Sequence, residues 1–505
     1  MNILALGHSS YILEMATADS TGTVRILVDP WLSDHVVGDL GGRFPRLRFP
    51  SAALEPLDAI FITHSHTDHF DPYFLVQFWR EATSRPALLL PESLAYLEAA
   101  CREHLPGVEI EFLADQVPTA FRGLEVTGFF SPELRATNED DVQLLLVRSD
   151  HESFVAEADA LFPFQDPGAR ATLTDMLAAD SPGATVFLTT KNEGDATMAM
   201  LDSPSRPERE RRLGEELDRT YAEIHSIFAP PDEIDASEDL WQDDGVVRLV
   251  GGQGICWPHE LGDDWNRVLF PISLADRVAM EREVAEQYGC PVRIEALTPG
   301  LTFTVEGNGA VQTSPIDWLE VLDDEDARAF DIELDLFESF PCAPLIDERR
   351  DDEAQRGRIE RLLNERFLPW LIGARNPPVE HLLGAGKGVY RIRVRFGSSG
   401  GHRDVDWVLR HANLRFEPES EDVASAAGEP DEHYWANDIA DLLDGRCDEF
   451  STICRRPLGG TAQRLWTCLG LPYLNNDAIE RKIRLHLERA TRGETAADWV
   501  LGFHR

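Results

Sequence analysis

Apolar residues in the first half of the chain fall in short runs closed by Gly, Pro, Asp or Ser: "NILAL", "SYILEM", "VRILVDP", "DAIFIT", "PALLLP", "LEVTGFF", "VQLLLV", "SFVAEAD", "TVFLTT" and "VVRLVG". Runs of four to seven residues with such boundaries predict strands. Helical spacing of apolar positions is interposed at residues 72–82, 93–104 and 209–228, and "LADRVAMEREVAEQY" at 274–288 predicts a helix that closes this unit. Large sheets covered by helices follow, in an α/β or α+β chain, of which α+β is the expectation.

Beyond that point the pattern changes. Residues 350–372 carry a long amphipathic helical pattern, "VYRIRVRF" and "VDWVLR" predict a hairpin or sheet edge, and "NNDAIERKIRLHLERATRG" predicts a last helix stopped by Gly493. The acidic, Ala/Ser-rich stretch "EPESEDVASAAGEPDE" at 417–432 reads as an exposed loop. The expected division is a domain over residues 1–275 and a smaller α+β domain over 276–505.

Composition narrows the classes of partner. With 90 acidic and 47 basic side chains among 505 residues, the formal net charge is −43. Nucleic acid is therefore an unexpected partner, because its binding rests on clustered Lys and Arg. Seven cysteines without a C-x-x-C pair argue against a disulfide scaffold, a zinc ribbon or a Rieske cluster. No apolar run is long enough to cross a bilayer and the first residues lack a basic signal-peptide region, so the expectation is a cytoplasmic protein with no membrane contact.

One cluster carries chemistry. In "FITHSHTDHFDPY", residues 61–73, an apolar strand runs into His64-x-His66-x-Asp68-His69. Three imidazoles and a carboxylate within six residues are a costly way to end a strand unless a cation binds them, and neutral imidazole is the commonest metal ligand. In an extended segment His64 and His66 point the same way, whereas Asp68 and His69 fall on the turn that follows. The spacing offers two ligands to one metal and two to a neighbour.

This motif, after a buried strand, resembles the signature of the metallo-β-lactamase superfamily, and "GHSSYILEM…VRILVDPWLSD" is similar to the opening strands of one of its branches. The resemblance implies an αββα sandwich with ligands on loops along one edge. It implies His64 and His66 on a first metal, Asp68 and His69 on a second, Asp159 as the bridging carboxylate with Glu157 as the alternative, and His259, after "VVRLVGGQGICWPHEL", as the last ligand. His8 and Asp29 are placed near the metal edge as residues that orient ligands. Trp31, Phe70, Tyr73, Trp257 and Trp265 either wall a pocket or pack the core.

The family normally has a histidine between "LEVTGFF" and "VQLLLV", yet "SPELRATNEDD" has none. Glu133 is the candidate for that place, with Glu139, Asp140 and Asp141 behind it. A site of two histidines and a carboxylate favours iron or manganese over zinc, and is the recurrent ligand pattern of O2-activating iron. The chain is also similar to the metallo-β-lactamase-like part of the CMP-sialic acid hydroxylases, through "GGQGICWPHEL…NRVLFPISLADRV…LTPGLTF", and to metallo-β-lactamase-fold di-iron monooxygenases. These resemblances imply a di-iron, O2-dependent hydroxylase of a small biosynthetic intermediate, free or as a thioester, with Asp68 and Glu133 as catalytic candidates and a separate reductase as electron donor. The alternative they leave open is a dizinc hydrolase of an ester, lactone or phosphodiester, in which Asp68 orients the attacking water.

Overall fold

The structure is a computed structural model, in which residues 1–17, 22–35, 42–130, 142–159, 166–178, 183–190, 245–252, 254–256, 274–290, 292–322, 353–373, 389–398, 401–410, 412–419, 430–443, 459–460 and 472–496 are described, with single residues between 211 and 224 and at 465 and 468. The chain begins with a meander, β1 (Asn2–Gly7), β2 (Ser10–Ala16) and β3 (Thr23–Val28). It continues with β4 (Ala59–Phe61), α1 (Pro72–Glu81), β5 (Ala87–Pro91), α2 (Glu98–His104) and β6 (Glu109–Leu113). β1 to β3 pair antiparallel and β3 to β6 parallel.

A second sheet follows: β7 (Thr119–Phe121), β8 (Leu124–Phe130), β9 (Gln143–Arg148) and β10 (Ser153–Ala156), then α3 (Pro167–Ala178), β11 (Thr185–Thr189), β12 (Val246–Val250), α4 (Leu274–Gln287) and β13 (Arg293–Ala296). Its order runs β13-β12-β11-β10-β9-β8-β7. β14 (Leu301–Val305) and β15 (Val311–Pro315) then return to the first sheet, whose order is β15-β14-β1-β2-β3-β4-β5-β6.

The alternation read from the sequence is the layering itself. Ile3, Leu13, Ile26, Phe61 and Leu89 of the first sheet meet Val126, Leu145, Val147, Phe154, Leu188 and Leu249 of the second in one buried cluster. Their neighbours Leu4, Ile12, Leu27, Ile60 and Leu88 turn the other way, onto α1 and α2. Leu144, Leu146, Val155 and Phe187 turn outward beneath α3 and α4. Opposite faces of each strand bury opposite sets, giving four layers, αββα.

The sandwich extends past residue 275, the boundary expected from the sequence, which falls inside α4. β13 covers the edge of β12 and β14 covers the edge of β1, so both sheets need strands from beyond that point.

The remaining chain forms α5 (Glu353–Leu362), α6 (Leu368–Gly373), the hairpin β16 (Val389–Ser398) and β17 (Gly401–Arg410), β18 (Phe416–Pro418), β19 (Glu432–Trp435), α7 (Ala436–Leu443), β20 (Gly459–Gly460) and α8 (Pro472–Thr491). Its five described strands make a separate sheet, β18-β17-β16-β19-β20. Ile392, Trp407, Phe416, Ile483 and Leu487 belong to the same buried cluster as the outer face of the first sheet, so this unit packs on the α1 side. Tyr73 Oη lies 3.0 Å from His486 Nδ1, and Arg484 pairs with Glu103 at 2.7 Å across the seam. No helix among the described residues is long and apolar enough to cross a membrane.

Candidate metal centre

Parallel strands send consecutive loops to one end of a sheet, and the site forms there. Val28 of β3 is in register with Phe61 of β4, so Asp29 and Thr63 emerge side by side. Asp29 is in the left-handed region, φ +43°, as are His8 after β1 at +48° and Ala158 after β10 at +45°. Non-glycine residues in this conformation are costly and persist where the surrounding structure over-determines them, often at functional sites. Asp71 N-caps α1 directly after the histidine motif, accepting from the Tyr73 and Phe74 amides with Pro72 in the first turn. The same carboxylate accepts from the amides of Leu32 and Ser33, pinning the motif to the loop after β3.

The motif side chains converge with Asp159. Asp159 Oδ2 lies 3.4 Å from His64 Nε2, 3.4 Å from His69 Nε2 and 3.9 Å from His66 Nδ1. Asp68 Oδ2 lies 3.9 Å from His69 Nε2 and 3.1 Å from His8 Nε2. Two overlapping groups result, His64–His69–Asp159 and His8–Asp68–His69, each with ligand atoms within 4.8 Å of one another. His64 and His69 are sealed at 0% side-chain exposure, whereas His66, Asp68 and Asp159 keep 13%, 15% and 19%, so the site opens on their side.

Ring orientation is set from behind. The Thr63 hydroxyl donates to Asp29 Oδ2 at 2.8 Å, which leaves its oxygen free to accept from His64 Nδ1, also at 2.8 Å. His69 Nδ1 lies 2.8 Å from the same Asp29 Oδ2. Both imidazoles therefore hold a proton on Nδ1 and turn Nε2 toward the site. Neither Nε2 makes a hydrogen bond among the described residues, although both are buried and face Asp159. Buried ring nitrogens aimed at a shared carboxylate without hydrogen-bond geometry fit a cation between them.

Without a cation the charges lean on one another. Burial and the neighbouring rings His69 and His66 hold the His64 imidazole below its usual pKa. Burial also works against a charged His69, but Asp29, Asp159 and Asp68 outweigh it and raise that ring well above the ordinary histidine range. Burial would raise Asp159 and Asp68; the opposing pull of His69, joined by His64 and His66 on Asp159 and by His8 on Asp68, holds both carboxyls below the usual range.

Of the residues expected from the sequence, the structure thus brings together His64, His66, Asp68, His69 and Asp159. Glu157, the alternative to Asp159, is buried in an ion pair with Arg248 on β12 and belongs to neither group. Glu133 and His259 lie outside the described residues, as do Glu139, Asp140, Asp141, Trp257 and Trp265. Trp31, Phe70 and Tyr73 belong to the buried cluster beneath α1, so packing accounts for them. Thr63 was not foreseen; a hydroxyl residue next to the first histidine is the signal that was present. Arg43 was also missed. Fully buried, it donates to the carbonyls of Leu6 and Trp31 and ties together the loops that carry His8 and Asp29.

The description of the matching family is beta-lactamase superfamily domain, over residues 24–159, which include the whole motif and Asp159. Among solved structures, the diiron beta-hydroxylase CmlA of Streptomyces venezuelae is 17% identical, with 62% of this chain and 54% of that one covered and a TM-score of 0.33. A mutant of that hydroxylase gives 18% identity, the same coverage and 0.36. The metallo-beta-lactamase fold protein YhfI of Bacillus subtilis gives 12% identity, 62% of this chain, 98% of its own and 0.30. The chain spans about half the length of the hydroxylase it matches. None of the curated proteins matches the chain.

Proposed function

We propose that this chain, with a beta-lactamase superfamily domain over residues 24–159, is a dinuclear metalloenzyme, and that its centre is a di-iron site for O2-dependent hydroxylation of a small organic molecule. The observation that supports the dinuclear reading is that Asp159 Oδ2 lies 3.4 Å from the Nε2 atoms of both His64 and His69, within reach of ions that those two rings would hold. His64, His66 and Glu133 would hold one ion, Asp68, His69 and His259 the other, with Asp159 shared. Iron is favoured by the sequence, since the segment between β8 and β9 offers Glu133, Glu139, Asp140 and Asp141 and no histidine.

Bound iron would supply Lewis acidity and the redox equivalents for O2 chemistry. The protein's own part is to fix the rings and the charge: Asp29, directly and through Thr63, keeps the protons of His69 and His64 on Nδ1. Asp68, on the open side, is placed to position a substrate or water. Hydroxylation consumes O2, two electrons and two protons and returns one water, so a separate reductase is part of the proposal. The C-terminal unit is proposed to shape the substrate site, the substrate being free or a carrier thioester, in the cytoplasm, with neither nucleic acid nor membrane as partner. The hydrolytic reading, two zinc ions and an ester, lactone or phosphodiester, draws on the described donors, since three imidazoles and two carboxylates suit zinc as well.

Metal analysis decides. Protein from iron-supplemented and zinc-supplemented growth should carry about two irons per chain and consume O2 with a reductant. One iron or fewer with full zinc occupancy would transfer the proposal to hydrolysis, and no bound metal from either growth would end both. Glu133→Ala should lose about half the metal; unchanged stoichiometry moves that ligand to Glu139, Asp140 or Asp141.

A further inference from the structure

We propose that His8 is itself a protein ligand of the second metal position, and is not merely a residue that orients its neighbours. The inference rests on the dinuclear reading above and adds a ligand which that reading lacks.

The backbone turns His8 toward the site. β1 and β2 slip register between Ala5 and Gly7, and the chain then passes through Gly7 at φ +91° and His8 at +48°. Two consecutive left-handed residues, the second a histidine where glycine or asparagine would be easier, rotate the side chain off the sheet and onto the loop edge. Gly254 gives way to it: a Cβ there would stand 2.3 Å from His8 Cβ. The fully buried Trp31 packs edge-on to the imidazole at 5.2 Å and His69 at 5.5 Å. The ring is thus held by close packing on several sides, and its Nδ1 is buried without a hydrogen bond to any described residue.

What that packing presents is Nε2, 3.1 Å from Asp68 Oδ2, in a group with His69 whose ligand atoms all lie within 4.8 Å. Atoms that share a metal at ordinary bond lengths sit about 3 to 3.5 Å apart, so the His8–Asp68 separation fits two donors on one ion as well as a hydrogen bond. The group has the same composition as His64–His69–Asp159, two imidazoles and a carboxylate, and shares His69 with it. An added imidazole would give the second position one nitrogen donor more than the first, which favours iron or zinc over magnesium or calcium.

A ligand and a hydrogen-bond donor to Asp68 are separable with two variants of the full chain. His8→Asn suits the left-handed turn but cannot reach Asp68; His8→Gln can reach Asp68 with an amide N–H. Metal-free protein would be titrated with Co(II) against a competing chelator, following the visible ligand-field spectrum and the hyperfine-shifted ring N–H resonances of bound histidines, with circular dichroism as the check on folding. Both variants should keep the first cobalt and lose affinity for the second by about 100-fold or more, with one shifted N–H resonance gone. Wild-type affinity and spectrum in His8→Gln, with a defect confined to His8→Asn, would make His8 a positioning residue and overturn the proposal, as would two unaffected variants. If wild-type protein itself binds only one cobalt, the dinuclear reading fails first; a resonance still lost in both variants would then place His8 on the single site.

Discussion

At the scale of single residues, the site depends on where protons sit. Asp29 touches no candidate metal position, yet its Oδ2 accepts from the Thr63 hydroxyl and faces His69 Nδ1, while its Oδ1 accepts the Thr63 amide at 2.7 Å. Thr63→Val would test this arrangement. It keeps the shape and the backbone bond to Asp29 but removes the oxygen that accepts from His64 Nδ1. The freed ring can rotate and change tautomer, and metal affinity should fall about 10-fold, within the range seen when such supporting partners are lost. A competition titration that returns wild-type affinity would remove Thr63 from the argument. This layer was only half legible in the sequence. The ligand motif announced itself because its residues lie within six positions, whereas Thr63 and Asp29 are 34 residues apart and meet only because β3 and β4 pair in parallel. For the same reason Glu157 and Asp159 could not be separated until Arg248, 91 residues away, was seen to take up Glu157.

At the scale of elements, the helix most exposed to test is α8. Ile483, His486, Leu487 and Ala490 share one face at helical spacing and are buried against α1 and α2. His486 is the unusual member. Burial, and after it the charges of Lys482 and Arg489, lower its pKa from 6.5 to about 3, and Tyr73 Oη contacts its Nδ1. An unfolded chain takes up a proton at this position below pH 6.5 and the folded chain does not until about pH 3. In that window the unfolded state binds more protons, so stability is fully present above pH 6.5 and declines as pH falls. The loss attributable to His486 is about 2 kcal/mol at pH 5. Denaturant unfolding of wild type and His486→Gln between pH 7.5 and 5 should show the variant losing less stability by about that amount. Parallel slopes would mean that the ring takes up its proton as readily in the folded protein as in the unfolded chain. The helix itself was legible, down to its stop at Gly493, φ +87°. Its docking on α1 was not, because amphipathic spacing says that a face is buried and is silent about what buries it.

At the scale of the whole molecule, the charge of −43 and the core act in opposite directions. Like charge spread over both halves pushes them apart, while one continuous apolar cluster, from Leu4, Leu27 and Trp79 to Trp407, Phe416 and Leu487, holds them together. A sequence read strand by strand suggests a break near residue 275, since the pattern changes there. The sheets do not respect it, because β14 must close the edge of β1 and its partners are about 300 residues apart. Among the described residues the last strand of the sandwich ends at Pro315, and the C-terminal unit covers its α1 side. That cover is apolar, so it should not be dispensable. A chain ended after residue 322 would strip α8 from α1 and α2, uncovering Tyr73 and the helix faces beside it and leaving an apolar patch that soluble monomers rarely tolerate. It should bind a hydrophobic dye, self-associate, and unfold at lower denaturant than the full chain, whose transition should be single because the cluster is shared. A truncated chain that stays monomeric, ignores the dye and unfolds at the full-length midpoint would show the C-terminal unit to be an appendage. Its part in the chemistry would then have to be sought in contacts with the substrate alone.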